Sequence, residues 1–317
     1  MICLLWAESA DSDLEGSMLV WVALLSVSSP TEATPSNTSA PGRLSYQNLI
    51  VGRLNPKGLL NRLELRYRAS LYEHESPVLE TNFVGLKVQP SLSPVFSKLG
   101  IGLKVQPLSV LQLFALYEWI QYFGTFEYLQ SFASAADDYS DTALESLAEA
   151  ETNYSGHGHQ VTLGALVQMK LGPIAARSNF KLFYSSFDLR GDDLVFYDIT
   201  LDALLPNEGW AISNDADLLY LSDFGLTLGL RHTYSRAFFG PEHFGGIEPT
   251  ADPNRANHRL GPLVAYQFYE DEGPARFNKP TVLLLLNWYL EHRNRAGQDV
   301  SRAFPYIVVG FACSGDL

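Results

Sequence analysis

The chain has 317 residues, 46% of them apolar and 18% charged, with a formal net charge of −13. That apolar and aromatic content is too high for intrinsic disorder, and no apolar run reaches the roughly 18 residues a membrane-spanning helix needs. A pI near 4.9 leaves no basic face dense enough for general nucleic-acid binding, and two cysteines, Cys3 and Cys313, exclude a disulfide framework.

Residues 1–42 carry no Lys or Arg and five acids, Glu8, Asp11, Asp13, Glu15 and Glu32. Met18 opens the apolar stretch LVWVALLSV, followed by small and polar residues. This is the layout of a secretory signal peptide, without its positive start. Residues 1–33 are therefore expected to be a signal peptide or a mis-assigned start with translation beginning at Met18. Residues 34–42 read as a flexible leader and residues 43–317 as the folded domain. Without residues 1–33 the 22 bases face 30 acids, a net charge of −8.

From Arg43 onward, alternation with a period of two dominates. In Leu60–Leu71, the residues Leu63, Leu65, Tyr67, Ala69 and Leu71 fall on one face, and Arg62, Glu64, Arg66 and Arg68 on the other. Lys98–Gln106 sets Leu99, Ile101, Leu103 and Val105 against Lys98, Gly100, Gly102, Lys104 and Gln106. Ile174–Tyr184 and Leu226–Tyr234 repeat the pattern, with Arg177, Asn179 and Lys181 on one polar face and Thr227, Gly229, Arg231 and Thr233 on the other. Twelve strands are expected, near 44–54, 60–73, 79–90, 95–106, 107–123, 157–170, 173–186, 210–221, 224–238, 257–270, 279–293 and 303–313. Many exceed the usual soluble strand of about 5–6 residues and match the 9–11 or so of a tilted transmembrane strand. GLKVQP occurs twice, at 85–90 and 102–107, as hairpin repetition in a meander explains.

Long connections fall near 124–156, 187–209, 239–256 and 294–302. If every strand reverses direction, all four lie on one rim, with the short turns and both chain ends on the other. Long external loops, short internal turns and an even strand number are the rule for bacterial outer-membrane barrels. The loop at 125–156 holds Asp137, Asp138, Asp141, Glu145, Glu149 and Glu151. Its segment DTALESLAEAE has helical character, with Leu144, Leu147 and Ala148 on one side. It either folds into the pore mouth as a constriction or stays on the surface. His157-Gly158-His159 offers two imidazoles on one face, short of the three or four ligands a metal site requires. No metal or other cofactor is expected.

With its alternating hairpins, aromatic strand ends (Tyr117-Glu118-Trp119, Trp288-Tyr289) and final strand AFPYIVVGFACSGDL, the region from about Arg43 to Leu317 resembles a Gram-negative outer-membrane β-barrel of porin-like type. The resemblance implies an all-β fold, a single antiparallel transmembrane barrel of about 12 strands. It also implies residence in the outer membrane, with outer-membrane lipids, the barrel-assembly machinery and small solutes as partners. In such proteins the last strand normally ends on an aromatic; here the chain runs on past Phe311 to Leu317.

Arg or Lys on the lipid face at mid-bilayer costs about 2–4 kcal/mol each, so the bases of the polar faces belong inside. Arg62, Glu64, Arg66, Arg68, Lys87, Lys98, Lys104, Arg177, Lys181 and Arg231 are the expected lumen-lining set. They form either a basic wall attracting anions into a water-filled pore or a plugged interior neutralised by Glu64, Asp215, Asp217 and Glu291. Tyr117, Trp119, Tyr122 and Phe123, with Trp288 and Tyr289, are expected in the outer aromatic girdle. The function expected is passive diffusion of small, preferably anionic solutes through a narrow channel. The alternatives are a plugged structural or adhesion barrel and an outer-membrane lipid-modifying enzyme of the phospholipase kind. For that enzyme, His232-Thr233-Tyr234-Ser235 has the wrong spacing to put imidazole and hydroxyl on one strand face, and the chain is read as a non-enzyme.

Overall fold

A computed structural model describes residues 42–74, 76–245, 253–271, 274–296 and 304–317. The expected signal peptide (1–33) and nearly all of the leader (34–42) lie outside the described residues. Twelve long strands close an antiparallel barrel: β1 (Arg43–Leu54), β2 (Gly58–Ala69), β3 (Phe83–Leu92), β4 (Phe96–Leu108), β5 (Leu111–Phe123), β7 (Ser155–Leu171), β8 (Ile174–Phe187), β11 (Gly209–Leu221), β12 (Leu226–Ala237), β13 (Asn257–Gln267), β14 (Asn278–Glu291) and β15 (Tyr306–Asp316). Three short strands, β6 (Ser131–Phe132), β9 (Val195–Asp198) and β10 (Ala203–Pro206), form a separate sheet in the order β10-β9-β6. Helix α1 (Pro77–Glu80) lies between β2 and β3, and α2 (Asp141–Glu149) lies between β6 and β7.

Each barrel strand pairs with its neighbours in sequence around the sheet, and β1 closes the ring on β15 from Ser45↔Asp316 to Leu54↔Ile307. Closure leaves no strand edge unpaired, which a sheet inside a bilayer requires. The final strand continues five residues past Phe311 before it ends at Asp316, and that extension is what completes the seam with β1.

The four long connections share one rim as the alternation predicts, but the short turns do not all fall on the other. Connections 124–154, 188–208, 238–256 and 292–305 share one rim, external in outer-membrane topology, with the short turns at 55–57 and 93–95. The opposite rim carries both described ends, the turns at 109–110, 172–173 and 222–225, and two longer connections, 70–82 and 268–277. Strand 60–73 was expected to run longer than it does. β2 stops at Ala69 because Asn82 captures the chain: its Oδ1 accepts from the backbone N–H of Leu71 and Tyr72 at 2.8 and 2.9 Å.

The period of two decides what faces lipid. Outward positions of β1 through β5 hold no Asp, Glu, Lys or Arg, and Leu59, Leu86, Leu92 and Ile101 stand more than half exposed there. This apolar skin places the barrel in a bilayer. Tyr117, Trp119, Phe123 and Trp288 are on it, as expected for the girdle. Tyr122 and Tyr289 are not. Adjacent residues on a strand cannot share a face, so both turn inward and are buried. The three described tryptophans, Trp119, Trp210 and Trp288, are each about 40% exposed and all outward. With Trp6 and Trp21 replaced by Phe, brominated lipid should quench most of the remaining fluorescence. Quenching by aqueous iodide alone would contradict this orientation.

Candidate functional site: the lumen and its plug

The inward faces of β2, β3 and β4 place three bases around one carboxylate. Arg66 lies 2.6 Å from Glu64, Lys87 3.3 Å and Lys104 3.4 Å, all buried. The GLKVQP repeat explains how two lysines reach the same acid. In the β3–β4 register Lys87 stands opposite Gly102, and Lys104 opposite Gly85. Each lysine thus lies beside a glycine on the next strand. A Cβ at Gly102 would meet the Lys87 Cε at 2.9 Å.

Across the barrel a second cluster forms on β8, β11 and β12. Asp217 receives Arg177 at 2.5 Å and Arg231 at 2.6 Å, and Lys181 sits 3.8 Å from Asp215. Thr233 donates to Asp215 at 2.8 Å. Of the remaining expected lumen residues, Lys98 lies over the Phe96 ring and Arg68 over the Phe83 ring. Arg62 makes no ion pair among the described residues, and its Nε is buried without a partner. Glu64, Asp215 and Asp217 thus act as internal counter-charges, whereas Glu291 forms no ion pair among the described residues. Sequence reasoning missed Arg259, an inward base on β13 whose guanidinium lies 4.2 Å over the Tyr306 ring.

Between these clusters and the apolar strands the lumen changes character. Leu219, Leu263, Leu283, Leu285 and Val308 point inward on β11 and β13–β15 and pack together. The run Val282–Leu286 is therefore apolar on both faces, outward against lipid and inward against this wall.

The external mouth is filled by its own loops. The β10-β9-β6 sheet packs Val195, Phe196, Leu204, Leu205 and Phe132 against the upper wall residues Ile120, Tyr122, Phe187 and Ala211. Val195 and Phe196 have no exposure left. Of the two placements open for the loop at 125–156, the structure takes the constriction. α2 begins at Ser140, whose hydroxyl accepts from the Ala143 N–H, and drives Leu144 into the plug.

Asp202, between β9 and β10, ties this plug to the barrel. Arg295 donates to both its carboxylate oxygens and spans to Asp141 of α2 at 2.9 Å through two nitrogens. The Tyr289 hydroxyl lies 2.9 Å from the same carboxylate, and His292 Nε2 is 2.7 Å from the Asp202 carbonyl. Burial alone would raise the Asp202 carboxyl, but the hydrogen bond and charge of His292, with the Arg295 guanidinium, hold it well below the usual carboxylate range. Arg293 fastens the same 124–154 connection ahead of α2, donating to the carbonyls of Ala135 at 3.1 Å and Ala136 at 2.6 Å.

His157 and His159 face outward, where the His159 ring stacks on Tyr117 and shares a 2.5 Å hydrogen bond with its hydroxyl. Among the described residues no group of three or more His, Cys, Asp or Glu could hold a metal ion. One sequence pair was overlooked: His74-Glu75-Ser76 has the His-x-Ser spacing that His232–Ser235 lacks. It lies in the 70–82 connection, where the ring Nδ1 accepts the Ser76 backbone N–H at 3.0 Å rather than the hydroxyl proton.

No protein-family model matches the chain, and no curated protein matches it. Solved structures with a similar outline include the translocator domain of the autotransporter NalP from Neisseria meningitidis, at 12% identity over 87% of this chain and 88% of that one, TM-score 0.36. OccAB1 from Acinetobacter baumannii matches at 8% identity over 87% and 96%, TM-score 0.36. LpxR from Salmonella typhimurium matches at 8% over 86% and 100%, TM-score 0.35. Likenesses of this degree bear on neither solute nor activity. What the closed even-stranded sheet, the apolar skin and the one-sided long loops establish is the class: an outer-membrane β-barrel of porin-like build.

Proposed function

We propose that the barrel is a narrow outer-membrane channel for small solutes, anion-preferring, and closed at its external mouth by a displaceable loop plug. Twelve strands lie between the roughly 8 whose interior side chains can fill and the 16–18 that leave an open aqueous channel. Lumen side chains therefore decide what passes. The observation that carries the reading is the unequal sharing of charge inside. Glu64 serves three bases and Asp217 two, while Arg62 and Arg259 have no carboxylate partner among the described residues. The lumen stays positive although the whole chain is at −13, and a positive wall of low dielectric concentrates anions.

The plug favours a second reading, a permanently closed structural or adhesion barrel, because its apolar packing seals the mouth. Planar-bilayer conductance under a salt gradient separates the two. The channel reading expects stepwise conductance with an anion-selective reversal potential, shifted toward zero when Arg62, Arg66 and Arg68 are changed to Ser. Silence from both wild type and plug-released variants supports the closed barrel. A reversal potential untouched by the triple substitution removes the basic wall from selectivity.

A further inference from the structure

Directly beneath the plug, β13 and β14 present two buried polar side chains that carry donors with no partner among the described residues. Arg259 is 8% exposed, carries a partnerless Nη1, and stacks on Tyr306 rather than on a carboxylate. Asn287 is 1% exposed, and neither its Nδ2 nor its Oδ1 has a partner among the described residues. The two are diagonal neighbours on one inward face, since Arg259 pairs with Tyr289 and Asn287 precedes Tyr289 by two residues. Between them sits Gly261, where a Cβ would strike the Leu286 carbonyl at 1.9 Å, so the two strands approach closely and the gap carries no side chain. Asp202 in the plug above is already held by Arg295 and His292.

A buried donor left unmade costs about 1–3 kcal/mol, more when charged. Several at one place therefore call for a partner of their own. Below them Leu263, Leu285 and Val308 form the apolar wall.

We propose that Arg259 and Asn287 form a subsite for the carboxylate of a small amphipathic acid, reached when the plug lifts. The guanidinium and the amide N–H bind the carboxylate, and the apolar body lies along Leu263, Leu285 and Val308. Charge-assisted pairing with a planar guanidinium suits a carboxylate, and the apolar wall suits the body of the acid. The assignment rests on the channel reading and adds the class of solute.

The test measures benzoate binding by calorimetry to the full chain refolded in nanodiscs, in an Asp202→Asn background that frees the plug. Barrel folding of each variant is checked by the mobility of unheated samples in detergent gels. Benzoate should bind, and Arg259→Gln should weaken it about tenfold or more, the scale of one charge-assisted hydrogen bond. Asn287→Leu should weaken it several-fold, and benzyl alcohol and acetate, each lacking half of the ligand, should bind far less tightly than benzoate. Equal benzoate affinity in the parent and Arg259→Gln, or no binding in the parent, overturns the subsite. Conductance is recorded on the same samples: ion flow without benzoate binding removes the subsite and leaves the channel, and binding without ion flow does the reverse.

Discussion

Asp202→Asn opens the barrel: in planar bilayers the variant is expected to spend far more time conducting than the wild type. The carboxylate is buried, and through Arg295, Tyr289 and His292 it links the plug sheet to α2 and to the top of β14. Removing one member of a buried ion pair costs about 3–5 kcal/mol, here borne by the closed state alone, since plug contacts are what the open state lacks. That is a shift of at least two orders of magnitude in the open-to-closed ratio, at about 1.4 kcal/mol per factor of ten. The sign of the pH dependence follows from the same group. Its folded pKa is depressed, so its contribution is fully present above the unfolded value near 3.9 and is lost only as pH falls below that value toward the folded one. The Asp202 contribution to closure should therefore be constant between pH 8 and 5 and weaken only in stronger acid. Equal open probabilities for Asp202→Asn and wild type, with both barrels folded, would show that the plug is not held through this residue.

Glu64→Gln acts on the wall instead of the gate. It leaves Arg66, Lys87 and Lys104 buried around a neutral amide, and the barrel should lose about 3–5 kcal/mol on urea unfolding in lipid vesicles. At the same time the reversal potential should move further toward the anion limit, because the lumen has gained positive charge. Adding Lys104→Met should return part of the lost stability, since residues sharing one network are not additive. A variant as stable as the wild type would mean that the three bases are solvated by lumen water and need no counter-charge. The two outcomes, stability and selectivity, report independently on the same carboxylate.

How much of this was legible beforehand depends on the range of the interaction concerned. All twelve strands stand where alternation put them, to within a few residues at most ends. The pleat is a local property, and the bilayer penalises any slip of one residue by turning a whole row of charges into lipid. One of the largest misplacements, the end of β2, came from Asn82, whose amide takes two backbone N–H groups ten and eleven residues away. The girdle misreading of Tyr122 and Tyr289 had a local remedy, because the same alternation that exposes Phe123 and Trp288 buries their neighbours.

The lumen was legible only by face. Alternation assigns Arg66, Lys87 and Lys104 to the interior, but their common partner follows from barrel register, which sets Lys87 opposite Gly102 and Lys104 opposite Gly85. Arg259 gave no signal, standing alone on its strand among Leu260, Gly261 and Leu263. The inward apolar wall was hidden for the opposite reason, since a run apolar on both faces has no period to read.

The sequence by itself determined the class of this protein: the alternating strands, the apolar skin, the inward bases and the rim that carries the long loops. Each follows from the pleat and from the cost of charge in lipid, which act residue by residue along one strand. Tertiary structure alone decided that the external loops pack into the mouth and how the interior charges are divided. Those outcomes depend on pairs such as Arg295 with Asp202, 93 residues apart, and Lys104 with Glu64, 40 apart. Lys104 meets Glu64 through the register of β2, β3 and β4, and Arg295 meets Asp202 because the external loops fold back into the barrel; no local period along the chain encodes either meeting.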